Sequence, residues 1–524
     1  MRNQTVFSSS SAINSALILL VLAACVAQLF IDFNTDNIAS ACLVTASSLA
    51  TLLYLRWTTA LTSHPLSAFS LLGLCTTTQL GALLGQSGAW TPITYALRQP
   101  VATFATLAMF QAIALSAHAL YRFLPALQFG ESSLLRGGLR RAGLYLIPSV
   151  GMVWIFGVIG FLAHLTGGAE VGGKLIAGFR FLIFAPFLIP LYVQEEGTGY
   201  CKAKTQYLFL AAYLSMVVLL GVAANARGLM LTGVVTMGLV MTLWLMCTPI
   251  VVRPAQLVKL GVVGAMLFAL VGPLSDLSTA MVVARQSSGV GTAKASPVQM
   301  VKKTLDVLQR PELIAAYRLR TKLASQHKAY DETYLANPMM ARFVETKFHD
   351  NAFFFTSSLT DSAEQELQRI TIDMVLALIP NPVLKAVGVA VNKEQINYSI
   401  GDYMVYLSRG LELGGRKTGS VFAHGLALFG VLFPVVYFFM VLLLFALLDL
   451  LTFKTATGKV FLALPAMVQL FRYFQYGISG ESLPYMVSTA TRGLLQTLFV
   501  YFCVFYLAKL LLAMYPTRLA PRPA

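Results

Sequence analysis

Apolar runs of about 18 residues or more recur along most of this chain, and a run of that length predicts a helix able to cross a bilayer. They lie at Ile13–Ile31, Asn37–Leu55, Leu66–Gly85, Val101–Tyr121, Gly143–His164, Leu175–Val193, Tyr207–Ala224, Gly228–Ile250, Gln256–Leu274, Phe422–Leu448, Val460–Phe471 and Thr491–Met514. The expected fold is therefore all-α: a polytopic transmembrane protein of about twelve spans. The eleventh run is short and contains Pro465, and the sixth contains Pro186 and Pro190, which predict a kink or break.

The pattern changes once. Residues 275–420 make up about a quarter of the chain but carry about half of its charged residues, so they cannot lie in hydrocarbon. Amphipathic periodicity inside this stretch predicts helices from Met300 through Lys303 and Leu308 towards Tyr317 (broken at Pro311), over Met339–Phe355 and over Asp361–Leu378. The last stops at Pro380-Asn381-Pro382, and Ser362 with Gln365 has capping-box spacing at its start. The chain thus divides into residues 1–274, nine spans; 275–420, a helical cap between spans nine and ten; and 421–524, three spans.

Composition agrees. Only 11% of the 524 residues are charged, against about 25% in a soluble protein, and mean hydropathy is +0.71. The net charge of +16 reads as membrane anchoring rather than nucleic-acid binding. Arg122, Arg136, Arg140 and Arg141 follow the fourth run, which places that link in the cytoplasm. Arg2, Arg56, Arg253, Lys454, Lys459, Arg518 and Arg522 then fall on the same side, and both termini are expected there. Asp32, Asp36 and the long loop fall outside. The first run lacks a small-residue cleavage site and is expected to be retained as a span. Of the six cysteines, five sit in apolar runs and none in the loop, so a cap outside the membrane folds without disulfides.

Lys174, Arg180, Arg227, Arg409, Arg416, Lys417, Arg472 and Arg492 oppose this orientation rule, lying at or near the outer face. An arginine near hydrocarbon costs a few kcal/mol unless it is paired or snorkels. Guanidinium groups match phosphate oxygens with paired hydrogen bonds and stay charged. Arg180, Arg227, Arg409, Arg416 and Arg492 are thus candidates to hold pyrophosphate; snorkelling or pairing with cap carboxylates is the competing reading for each. The glycine-rich stretch Arg409–Ser420 is not a phosphate loop, because Arg416 stands where lysine is required. Candidate proton acceptors are His349, Asp350, Glu345, Asp402, Glu412, His424 and Glu481, with His349, Asp350 and His424 foremost. Structural roles compete here too, since a lone histidine or a Phe353-Phe354-Phe355 run is more often packing. No metal-ligand spacing, GxSxG elbow or nucleotide loop occurs, so neither metal nor cofactor is expected.

The link Asn225-Ala226-Arg227-Gly228-Leu229, the long loop before the tenth span, and the run Thr418-Gly419-Ser420-Val421-Phe422-Ala423-His424-Gly425-Leu426-Ala427-Leu428-Phe429-Gly430 resemble the bacterial oligosaccharide repeat-unit polymerases, the Wzy-type O-antigen and exopolysaccharide polymerases. The resemblance implies a metal-independent glycosyltransferase of the inner (cytoplasmic) membrane. It would join oligosaccharide repeats carried on polyprenyl (undecaprenyl) pyrophosphate, at the outer face, into surface polysaccharide. Implied partners are that lipid-linked oligosaccharide, membrane lipid, a chain-length regulator and a flippase. Arg180 and Arg227 would hold the leaving pyrophosphate, and His349 or His424 would take the acceptor proton. A ligase acting on a finished glycan, a transporter or flippase of lipid-linked oligosaccharide, and an inert assembly scaffold are the alternatives.

Overall fold

The computed structural model describes residues 9–130, 133–166, 176–191, 200–247, 272–286, 296–324, 330–335, 340–391, 393, 396, 398–454 and 460–514. It is helical almost throughout. Eight helical segments among the described residues are long and apolar enough to cross a membrane: Ile13–Ile31, Thr35–Trp57, Pro65–Gly88, Pro100–Phe123, Lys204–Ala223, Arg227–Cys247, Val421–Asp449 and Leu483–Met514. The expected ninth span lies almost wholly outside the described residues, as do Arg2, Lys174, Arg253, Lys459, Arg518 and Arg522.

Three expected spans take other forms. The fifth is the shorter helix Val150–Leu165, and the sixth is a 3-10 helix over Arg180–Leu188 with Pro186 inside it. Proline at that point lacks the N–H a regular helix needs. The eleventh is not one helix. Val460–Leu462 pairs antiparallel with Thr452–Lys454, and two short helices follow, Leu464–Val468 and Leu470–Tyr476, the first opening on Pro465. The tenth is interrupted: Val421–Phe429 ends at Gly430, whose φ of +52° suits glycine, and Phe433–Asp449 continues.

Close backbone approach sets how these helices meet. A Cβ at Gly73 would overlap the Phe474 carbonyl, so Pro65–Cys75 and Leu470–Tyr476 lie backbone to backbone. A Cβ at Gly425 would overlap the Phe433 ring, which seats Val421–Phe429 against the helix after it. Phe110, from Pro100–Phe123, stacks on Phe422 at 4.6 Å between ring centres and also meets Phe433 and Tyr437.

At the basic end of the bundle, four spans share a buried polar knot. Ser67 Oγ donates to Asp449 Oδ2 at 2.6 Å. With that hydrogen committed, it accepts from His118 Nε2 (3.0 Å), and His118 Nδ1 accepts from Tyr54 Oη (2.8 Å).

The long polar stretch is helical, as its periodicity predicts. A helix over 272–286 begins it. Pro297–Leu308, Pro311–Ala324, Thr346–Thr356, Asp361–Leu376, Asn381–Ala386 and Ile400–Arg409 follow. The capping box falls at Ser296 and Gln299. The Asp361 helix is capped by Thr360, not Ser362; the Thr360 side chain accepts from Ala363 N, and Asp361 and Glu364 place negative charge in the first turn.

Candidate functional site

The helix Thr346–Thr356 docks on a break in a spanning helix. Within Pro65–Gly88, residues Thr76–Leu80 form a π-turn: the Gly81 N–H reaches back to Thr76 O and passes over Thr77 O. Thr76, Thr77 and Thr78 each hydrogen-bond the carbonyl four residues back (2.8, 3.0 and 2.7 Å), which favours a distorted helix. Glu345 N donates to Thr77 O at 2.7 Å, and Thr346 Oγ1 donates to Thr78 O at 2.7 Å. These bonds lie midway along the spanning helix, so the start of the docked helix is sunk well into the bundle.

Glu345 is 2% exposed. Gln475 Nε2 donates to its Oε1 at 2.9 Å, and the Tyr476 hydroxyl lies close by. Burial, reinforced by the nearby charge of Glu481 and opposed by Gln475 and Tyr476, pushes the Glu345 carboxyl up to about 8. It therefore keeps its proton at neutral pH. Burial and the neighbouring Glu332 likewise raise Glu481. Glu332 accepts from Tyr330 Oη (2.8 Å) and Thr418 N (3.2 Å). On the other side, the Tyr476 and Tyr485 rings lie 6.2 Å apart, and Arg472 Nε donates to Tyr485 Oη at 3.1 Å. Arg472 sits at the rim of a cleft between the Phe433–Asp449 helix and the Leu483–Met514 span. Leu444, Leu448 and Leu494 line its apolar side, and Gln469, hydrogen-bonded to Thr497 at 3.1 Å, its polar side. Three carboxyls, three tyrosines and an arginine thus gather between the sunken helix and this cleft, held by the Gln475–Glu345, Tyr330–Glu332 and Arg472–Tyr485 hydrogen bonds.

His349 lies one turn beyond Glu345 on the same helix and is 2% exposed. Its Nδ1 pairs with Ser420 Oγ at 2.8 Å, its ring packs 5.2 Å from Phe422, and Nε2 has no partner among the described residues. Burial pushes its pKa down to about 3, so the ring is neutral and a weak proton acceptor.

Asp350 is committed elsewhere. It accepts from Arg98 N (3.0 and 2.8 Å), Gln99 N (2.9 Å) and Thr103 Oγ1 (3.2 Å), filling the open N–H groups that start the Pro100 helix. Lys347 Nζ pairs with it at 3.1 Å, both side chains buried. His424 is also filled: Leu483 N donates to Nδ1 (3.3 Å) and Nε2 lies 2.8 Å from Thr371 Oγ1, which ties Asp361–Leu376 to the spans.

The five candidate arginines lie on five different segments and are not brought together by the contacts of the described residues. Arg180 Nε donates to Ala163 O at 3.3 Å, near the end of Val150–Leu165. Arg227 Nη1 reaches Ser278 Oγ at 3.3 Å. Arg409 lies 5.6 Å from the Phe354 ring, Arg416 is exposed at a φ of +53°, and Arg492 is exposed in the π-turn Thr489–Gly493. The glycine-rich stretch already holds internal anions. Asp402 accepts from Arg416 N (3.0 Å) and Lys417 N (3.2 Å), while Glu332 takes Thr418 N. Burial works against the Asp402 charge, but these N–H groups, Ser399 and the Lys417 ammonium outweigh it and leave its pKa below the ordinary carboxylate value.

Glu345 and Glu481 were legible as candidate acceptors, and Arg472 as an exception to the charge rule. Gln475, Tyr476, Tyr485 and Glu332 carry no motif of their own in the sequence. The signals for them are indirect: three consecutive threonines inside an apolar run, and polar residues flanking Gly477 and Gly480 just before the last span. Comparison with known protein families, curated proteins and solved structures finds no match.

Proposed function

We propose that this chain is a membrane-embedded glycosyltransferase that polymerises polyprenyl-pyrophosphate-linked oligosaccharide repeats at the outer face of a bacterial inner membrane. This reading includes the twelve-span layout, the outward cap and cytoplasmic termini. The observation that carries it is the grouping of the Glu345 and Glu481 carboxyls beside Tyr476 and Tyr485, with Arg472 on Tyr485 at the rim of a cleft with an apolar wall. A lipid-linked donor has matching parts: an apolar chain for the leucines, an anionic head for the arginine, and a sugar carbon for the carboxyl side. In the transfer, an acceptor hydroxyl oxygen bonds the donor's anomeric carbon as the bond to pyrophosphate breaks. The hydroxyl proton passes to the Glu481 carboxylate, less buried than Glu345 and able to reach an incoming sugar. The bonding pair leaves on pyrophosphate, whose growing charge Arg472 stabilises. Glu345 stays protonated beside Tyr476. The resemblance to the repeat-unit polymerases puts the pyrophosphate on Arg180 and Arg227 and the proton on His349 or His424. We assign these roles to Arg472 and Glu481, because His349 is weakly basic and both ring nitrogens of His424 are occupied.

The test supplies lipid-linked repeat units to membranes holding the full chain and reads product length on a gel. Glu481→Gln is expected to reduce polymer formation by roughly 10²–10⁴-fold, with Arg472→Ala also deeply impaired and Arg492→Ala near the parent. A full ladder from Glu481→Gln would sink the assignment. A single addition onto a non-repeat acceptor would favour a ligase.

One observation favours a transporter as a second reading. Glu345 is a protonatable group docked on a broken helix midway along a span, and discontinuous helices with buried carboxyls line transport paths. Movement of lipid-linked oligosaccharide across a vesicle without any change in its length would select that reading.

A further inference from the structure

We infer that the short helix Leu134–Arg141 and the turn after it form a docking surface for anionic phospholipid. The sequence Leu134-Leu135-Arg136-Gly137-Gly138-Leu139-Arg140-Arg141 puts Arg136 and Leu139 three residues apart, on the face turned to the protein. Both are nearly buried, at 8% and 9% exposure. The Arg136 guanidinium is saturated by three carbonyls: Nε to Phe129 O (2.9 Å), Nη1 to Thr452 O (2.8 Å) and Nη2 to Asp449 O (3.1 Å). Two of these belong to the end of the Val421–Asp449 span and the residues just after it, where a helix's partial negative charge favours a cation. One arginine therefore pins the helix flat against the end of the bundle, and Ser133 caps its start by accepting from Arg136 N at 3.2 Å.

The outward face pairs apolar side chains with charge. Leu134 is 96% exposed, Leu135, Leu146 and Ile147 about half exposed, and Arg140 and Arg141 are exposed beside them. In water, four large apolar side chains on one short surface would be unfavourable. The neighbouring span ends indicate what covers them. Trp57 and Phe123, the last residues of two spans, are 72% and 86% exposed, each preceded by an arginine, Arg56 and Arg122. Exposed aromatic rings with arginines at span ends mark the boundary between hydrocarbon and head groups. A helix pinned at the same end, with leucines and arginines outward, lies in that boundary plane. The occupant is then a lipid whose chains meet Leu134 and Leu146 and whose anionic head group meets Arg140 and Arg141. Basic side chains near an anionic surface contribute about 1 kcal/mol each, roughly five-fold in affinity.

The test places a reporter at the exposed leucine. Full-length Leu134→Trp protein is reconstituted in vesicles containing either brominated phosphatidylglycerol or brominated phosphatidylcholine, and the added fluorescence is read against the parent. The expected result is several-fold stronger quenching by the brominated anionic lipid. That selectivity is expected to fall to parity in the added Arg140→Gln/Arg141→Gln background and to shrink with salt. Equal quenching by both lipids in the Leu134→Trp protein would overturn the proposal, because lipid contact would then lack anion preference. Absence of quenching by either lipid would overturn it as well, and would point to an acidic protein partner or open water on this face.

Discussion

Glu345→Gln isolates the cost of burying a carboxyl at the base of the sunken helix. The substitution preserves shape, and its amide oxygen can still accept from Gln475. What it removes is the ability to ionise. Glu345 has a folded pKa of about 8 against an ordinary value of 4.5. Below pH 4.5 both folded and unfolded chains hold the proton, so the parent bears no penalty. Above it, the unfolded chain ionises while the folded one does not, and stability falls by about 1.4 kcal/mol per pH unit until pH passes the folded value. At pH 7 the accumulated loss is about 3 kcal/mol, and above pH 8 it levels off near about 5 kcal/mol. The variant bears none of it. Purified full-length proteins unfolded thermally at pH 4, 7 and 9, followed by tryptophan fluorescence, are expected to lie close at pH 4 and separate as pH rises, the variant melting higher. Parallel losses in the two proteins, or a parent that gains stability between pH 5 and pH 8, would refute the reasoning.

Two further outcomes follow from committed contacts. Asp350→Ala removes the acceptor for Arg98 N and Gln99 N and leaves the buried Lys347 ammonium without its carboxylate, an expected loss of about 3–5 kcal/mol in denaturant unfolding; a change within 1 kcal/mol, roughly the cost of an ordinary surface change, would remove its structural role. Gly73→Ala drives a methyl into the Phe474 carbonyl, so the two helices must part and the melting temperature is expected to drop clearly, whereas Gly137→Ala, with open space around it, stays near the parent or rises slightly; equal melting of both variants would count against the crossing.

The spans were legible because long apolar runs have few other solutions, and the cap helices because their periodicity is amphipathic. The site was less so. Its carboxyls come from residues 332, 345 and 481 and meet only after distant segments pack, which no local pattern encodes. Thr360 took the cap expected of Ser362 because neighbouring hydroxyls compete for the same N–H groups, and tertiary context decides between them. The arginines stood out against the charge rule, yet that rule records only an unusual side of the membrane. It does not distinguish Arg180, which reaches a helix-end carbonyl, from Arg472, which bonds Tyr485 close to the carboxyl cluster.

The crossing of Gly73 with Phe474 also constrains the order of assembly. About 400 residues separate the two helices, so the first is made well before the second. The first helices must therefore wait in the membrane with their tightest seam open, shielded by lipid or an insertion factor. A chain truncated before residue 474 would carry most of the apolar spans and still lack the surface that closes the bundle.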